Sequence, residues 1–282
     1  MSRNDDRLDA TRHTSLHCFV PDSVQLGPTG EGELSSLRMA LKDMFDVAGR
    51  VSSFGHPRWR ETHEPAREHA PAVAALLAHG ATIAGLAKMD QLAYSLIGNA
   101  GEGTPPANAF DPECFCGGSS SGSASAVAGG AVDVGIGTDT GGSVRVPAAA
   151  CGLCSLRPTH DAVSTAGVLP LAPSLDVVGF LAREPEPLAR TLRVLAPTLE
   201  AGALARVLVP TDLGRAVEGL GRRVAEAAGA EVEEVAVGSL IDARTGDLHA
   251  RIQGREIWAH HAGWAKANLP HLAADVQTRL RR

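Results

Sequence analysis

Two Gly-Gly-Ser turns constrain this chain more than any other feature. The first opens the run Cys116-Gly-Gly-Ser-Ser-Ser-Gly-Ser-Ala-Ser-Ala126, and the second closes Gly137-Thr-Asp-Thr-Gly-Gly-Ser-Val-Arg145. A glycine-serine run standing alone reads as a flexible linker. This one passes directly into a short apolar helix, expected over Ser123 to Gly129, and then into a buried strand, expected over Val132 to Ile136. The second turn then repeats the chemistry of the first. A linker has no reason to do so, whereas a site assembled from loops at one edge of a sheet does.

The rest of the chain supplies the sheet. Leu37 to Leu41 alternates and ends at Lys42-Asp43, which predicts a strand that delivers a lysine to its C-terminal edge. Pro71 to His79 begins with proline in a first helical turn and stops at Gly80, and Ala81 to Leu86 follows as a second strand. The stretch from Gly98 to Gly122 is too rich in Gly, Pro, Asn and Ser for regular structure; long loops of this kind are usually functional. Arg206 to Val209, Gly214 to Ala228 and Glu231 to Val237 form a strand-helix-strand pattern, so the fold class is α/β. Residues 1 to 33 read as a loose lead-in with one short strand around Leu16 to Val20, and residues 34 to 282 as one domain.

Composition excludes several classes. The chain of 282 residues has 46 Ala and 31 Gly but only 10 aromatic residues, so its interior must be built from small side chains and close backbone contacts. A net charge of -6, with 23 Arg and 3 Lys against 32 acidic residues, leaves no nucleic-acid footprint. No apolar run reaches the roughly 18 residues needed to cross a bilayer, and the polar start lacks a signal peptide's core. Five Cys make no disulfide framework. A cytoplasmic protein with reduced thiols is expected, without membrane or nucleic-acid partners.

Several chemistries could use the two turns. A phosphate cradle is one, but neither a P-loop nor GxGxxG is present. Gly118-Ser-Ser-Ser-Gly122 fits a nucleophile elbow centred on Ser120, yet the later histidines (160, 249, 260, 261 and 271) have no distinctive context. The remaining reading is a serine nucleophile with a lysine base. Lys266 lies on a polar helix; Lys88 follows a strand and is a candidate that could as easily pair with Asp90; Lys42 ends an apolar strand, where burial can lower a lysine's pKa, or where it could simply contact Asp43 or Asp46.

These residues resemble the amidase signature family of Ser-cisSer-Lys hydrolases. The resemblance is strong over residues 34 to 183, through Gly117 to Ala124, Gly137 to Ala148, Cys151-Gly and Leu156-Arg-Pro-Thr159. It looks closest to the plant-type indole-acetamide hydrolase branch, through Lys42-Asp-Met-Phe-Asp-Val-Ala-Gly49, Phe54-Gly-His-Pro-Arg-Trp59, Met89-Asp-Gln-Leu-Ala-Tyr94 and Val163-Ser-Thr-Ala-Gly167. The resemblance implies an α/β/α sandwich with a mixed central sheet. It also implies Ser143 as nucleophile, Ser119 as the cis-serine relay and Lys42 as base, 24 and 77 positions apart, with Lys88 non-catalytic. An oxyanion hole from the amides of Thr140, Gly141, Gly142 and Ser143 is implied as well, with Gly118 easing the turn. Asp139 and Arg145 are assigned to a supporting ion pair, and Asp43 and Asp46 are expected to point away from the lysine.

The expected function is hydrolysis of a small carboxamide, aromatic ones included, to acid and ammonia, through an acyl-enzyme and with no metal or organic cofactor. The alternatives are an esterase or aryl-acylamidase using the same triad, or a non-catalytic truncated subunit. Cys114, Cys116, Cys151 and Cys154 superficially suggest a four-thiolate zinc site, but small core residues are the default. Family members normally continue beyond the end of this chain, so the domain reads as C-terminally short, and a homodimer or a completing subunit is a candidate partner.

Overall fold

The computed structural model describes residues 15–200, 202–239 and 241–281. They divide into two compact units, one running to Pro197 and resuming at Gly254, the other Thr198–Gln253. The sequence reading had placed both within one domain. Residues 1–14 of the expected lead-in lie outside the described residues.

The first unit is built on a five-stranded mixed sheet. Its strands are β1 (Arg38–Lys42), β2 (Thr82–Ala87), β3 (Val134–Thr138), β4 (Cys154–Leu156) and β5 (Val178–Ala182), in the order β2-β1-β3-β5-β4. β1 runs parallel to β2 and β3, while β5 is antiparallel to β3 and β4. The sequence had identified β1, β2 and β3 within two residues, but not β4 or β5. The lead-in is not loose where it is described: Phe19 bridges to Ala87 and Leu26 to Ile83, so it borders β2.

Side-chain alternation sorts the two faces. Met39 and Leu41 of β1, Val134 and Ile136 of β3, and Phe180 and Ala182 of β5 pack with helices α2 (Pro71–Ala78) and α5 (Pro185–Leu195). The shorter helix α1 (Pro57–Arg60) precedes α2 and buries Trp59 in the same core. On the opposite face Ala40 of β1 meets Ala126 and Val127 of helix α3 (Ser121–Ala128). Glycine stands where β3 faces that helix: a Cβ on Gly135 would lie 3.0 Å from Ser123 Cβ, and one on Gly137 would lie 2.6 Å from Ser120 Oγ. The serine-rich helix therefore rests on main chain. Two helices on one face and α3 on the other make three layers.

Helix α4 (Arg145–Ala150) follows the second Gly-Gly-Ser turn and packs by Ala148 against Ala124 and Leu181. In the second unit β6 (Arg206–Pro210) and β7 (Glu231–Val235) pair in parallel through the crossover helix α6 (Arg215–Ala228), which ends at Gly229 in the left-handed region. That is the strand-helix-strand unit the sequence predicts. The helix Ala243–Asn268 (α7) and the helix Ala274–Leu280 (α8) complete the chain; Ile257, Ala265, Val276 and Leu280 join the core of the first unit. Among the described residues no helix is long and apolar enough to cross a membrane.

Candidate active site

Period two on β1 puts Lys42 on the same face as Ala40, toward the serine turn that precedes α3. Lys42 is fully buried. Its Nζ lies 2.8 Å from Ser119 Oγ and 2.8 Å from Thr138 Oγ1 at the end of the neighbouring strand. Burial disfavours the ammonium and lowers the lysine pKa to about 7, against the opposing pull of Asp90, Asp139 and Asp176. A group near 7 is half neutral at physiological pH and able to take a proton.

The expected turning-away of Asp43 is observed. Its carboxylate accepts the Ser53 amide at 2.8 Å and the Ser53 hydroxyl, and faces Arg60 at 3.7 Å. Neither Asp43 nor Asp46 contributes to the Lys42 shift. Asp90 does; it is buried with its two oxygens accepting the Gly98 and Ala100 amides at 2.9 Å each, while its own N–H donates to Ser119 C=O. Lys88 is not paired with Asp90, but donates to Thr104 C=O at 2.9 Å.

The peptide Gly118-Ser119 is cis. A Cβ on Gly118 would collide with the Asp90 carboxylate, so the turn needs glycine there. Ser120 N–H donates to Ser143 C=O at 3.2 Å and joins the two Gly-Gly-Ser turns. Among the described residues no hydrogen bond links the Ser119 and Ser143 hydroxyls. Ser143 is buried to 3% exposure.

Asp139 organises the second Gly-Gly-Ser turn. Its Oδ1 accepts the Gly142 amide at 2.8 Å and Arg145 Nη2 at 2.8 Å; its Oδ2 accepts the Val144 amide at 3.1 Å, the Arg145 amide at 3.2 Å and Arg145 Nε at 3.0 Å. Burial alone would raise its pKa, but the Arg145 hydrogen bonds and the amides hold it below the usual carboxylate value. The Asp139–Arg145 pairing expected from the sequence is thus present, and Arg157 joins it from the other side by donating to the Asp139 carbonyl. The Gly142 amide corrects the sequence reading: it is engaged by Asp139 and does not face the site as a free donor. The amides of Thr140, Gly141 and Ser143 have no acceptor among the described residues, which leaves three donors where four were expected.

Sequence reasoning missed Thr138, Asp90, Arg157 and Asp176. Thr138 and Arg157 stand inside quoted motifs, so their positions were visible but not their partners. Asp176 had no signal. It receives the Thr140 hydroxyl on Oδ1 at 2.5 Å and the Leu171 and Ala172 amides on Oδ2 at 2.9 and 3.0 Å. Beside these groups opens a cavity of about 230 Å³, whose wall includes Met44, Thr138, Val168, Pro170, Asp176 and Val177.

The four cysteines once weighed as a metal site do not converge. Cys116 and Cys151 are buried together, Cys151 Sγ 3.5 Å from Cys116 C=O, while exposed Cys114 contacts Asp111 and Cys154 faces Arg183 C=O. No group of three or more potential ligands that could hold a metal occurs among the described residues.

The chain is similar to several known proteins. The chain is 49% identical over 170 residues to "Amidase 1" of Oryza sativa subsp. japonica, which covers 60% of this chain and 39% of the relative. Among solved structures it is similar to one titled "Crystal structure of amidase", with a TM-score of 0.74 and 32% identity over 89% of this chain and 59% of that one. Another, titled "An unexpected vestigial protein complex reveals the evolutionary origins of an s-triazine catabolic enzyme", gives a TM-score of 0.76 at 28% identity over 89% of this chain and 59% of that one. The chain thus spans less than two thirds of the length of each. The family model described as Amidase matches residues 25–218, more than half of the chain, and this protein belongs to the Amidase family.

Proposed function

We propose that the chain carries the catalytic half-site of an amidase that hydrolyses a small carboxamide to a carboxylic acid and ammonia. The observation that carries the reading is the fully buried Lys42, 2.8 Å from Ser119 Oγ, with a pKa lowered to about 7. In this reading neutral Lys42 accepts the Ser119 proton, Ser119 accepts that of Ser143, and Ser143 Oγ attacks the amide carbon. The Thr140, Gly141 and Ser143 amides face the oxygen as it gains charge. The proton returns through Ser119 to the leaving nitrogen, and water, deprotonated along the same route, releases the acid. An ester of similar shape would follow the same steps, which makes esterase or aryl-acylamidase activity the neighbouring reading. The reduced thiols fit a cytoplasmic setting.

A second reading, a subunit that works only within an assembly, draws on the relative whose title names a protein complex. Labelling with a fluorophosphonate, together with ammonia release from a panel of carboxamides, separates the two. An active amidase labels at Ser143, releases ammonia, and loses both in Ser143→Ala. Silence in both assays with folded protein refutes the amidase reading for the chain alone and favours the assembly.

A further inference from the structure

The cavity near Lys42 and Thr140 has a mostly apolar wall. It shares Thr138 with the lysine and Asp176 with the Thr140 hydroxyl, so it adjoins the place where a carbonyl would sit between Ser143 and the free amides. Its volume of about 230 Å³ is below the roughly 300 to 1,000 Å³ of sites for drug-sized ligands. Met44, Val168, Pro170, Pro173 and Val177 give it apolar walls.

Among the described residues no Lys or Arg lines it, and the acidic residue of its wall is Asp176. Both oxygens of that carboxylate are already occupied by the Thr140 hydroxyl and the Leu171 and Ala172 amides. The guanidiniums nearby are turned elsewhere. Arg145 holds Asp139, and Arg157 holds the Asp139 and Leu175 carbonyls. Lys42 is neutral in the form that works as a base. Thr138 donates to Met44 Sδ at 3.2 Å and faces Lys42 with its oxygen. A carboxylate brought into this space would lose its water, find no cation and lie beside another carboxylate.

We infer that this cavity is an acyl subsite for compact, uncharged acyl groups, and that it turns away amides whose acyl part carries a carboxylate. The inference rests on the amidase reading for its location, and on the lining of the cavity for its selectivity. The filter is electrostatic and does not depend on size.

The test is a pair of amides of nearly equal shape, 4-oxopentanamide and succinamate, in which a methyl ketone replaces the carboxylate. Both rates are measured at pH 8.5, where the carboxylate of succinamate is fully ionised. Wild type should favour 4-oxopentanamide in kcat/KM by about 30-fold or more. His260→Arg, which adds a cation to the wall, should narrow that gap at least about tenfold, the gap being the ratio of the two rates within the variant. Thr165→Lys gives the same readout from another lining position if His260→Arg does not fold.

Equal rates on the two amides, or a gap that neither variant narrows, overturn the filter. Calorimetry on Ser143→Ala keeps the two readings apart, because binding needs no nucleophile. Selective binding of 4-oxopentanamide without any hydrolysis by wild type would refute the amidase reading and leave the filter standing. Equal binding, or binding of neither amide, would refute the filter.

Discussion

Thr138 Oγ1 stands 2.8 Å from Lys42 Nζ and 3.2 Å from Met44 Sδ, so its one proton points at the sulfur and its oxygen faces the amine. A neutral amine has two N–H groups and one lone pair. With one N–H directed at Thr138, the lone pair can turn to Ser119. Thr138→Val should therefore reduce kcat on a carboxamide by about tenfold, the worth of one neutral hydrogen bond, with KM changed less. Steady-state kinetics check it; an unchanged kcat would remove Thr138 from the orienting set.

The lysine's lowered pKa has a direct kinetic consequence. kcat/KM should rise with pH through a single group near 7, as Lys42 loses its proton, and reach a plateau by about pH 8.5. Lys42→Arg should lose at least about 1,000-fold, because a guanidinium stays protonated. A variant that kept most of the wild-type rate would disprove lysine as the base.

Folding feels the same group with a defined sign. In the unfolded chain Lys42 titrates near 10.4, and in the folded one near 7. Between these values the unfolded state binds more protons, so stability rises with pH, by up to about 1.4 kcal/mol per unit. Lys42→Met should lack that rise. Urea midpoints at pH 7 and 9.5 should show wild type gaining on the variant; parallel midpoints would mean that the burial of the amine is not felt.

Asp139 gives stability a pH dependence of the same sign, in a more acidic window. Its folded pKa lies below the usual 3.8, so its contribution is present above that value and is lost as pH falls through the lowered one. Asp139→Asn should cost about 3 kcal/mol at neutral pH, at the low end for a broken buried pair because Arg145 is half in solvent. The difference from wild type should shrink below about pH 4, as chemical denaturation at pH 7 and pH 3.5 would reveal.

Gly142 has a φ of +127°, and a Cβ there would come within 3.1 Å of Val146 Cγ2. Gly142→Ala should strain the second Gly-Gly-Ser turn by about 1 to 3 kcal/mol and slow fluorophosphonate labelling at Ser143 by at least about tenfold, with the circular dichroism spectrum retained. Labelling at the wild-type rate would show that the turn tolerates a side chain.

What the sequence revealed depended on whether a residue's partner was near it along the chain. β1, β2, β3 and α3 were legible because alternation, Pro71, Gly80 and the paired Gly-Gly-Ser turns are local signals. β4 has three residues and no alternation to read, and β5, Val-Gly-Phe-Leu-Ala, is uniformly buried between two strands, so periodicity could not separate it from a helix. Asp139 with Arg145 was legible at six positions' separation. Asp176, 36 positions from Thr140, was not, since nothing in Ser174-Leu-Asp-Val177 announces a hydroxyl on another loop. The Gly142 amide was misassigned for a related reason: a Gly-Gly-Ser turn shows that amides are exposed, but not which one a neighbouring carboxylate will take.

The glycines of β3 have an effect beyond local fit. Where most helices are held off a sheet by a layer of branched side chains, α3 sits on bare backbone at Gly135 and Gly137. The standoff there is set by bond lengths and van der Waals radii, which mutation of neighbouring side chains cannot alter. Substitutions among Leu41, Ile136 or Phe180 repack the far side of the sheet and leave this side's spacing alone. The serine turn and the strand-borne lysine are thus referenced to one rigid datum, and their mutual distance is insulated from drift in the hydrophobic core.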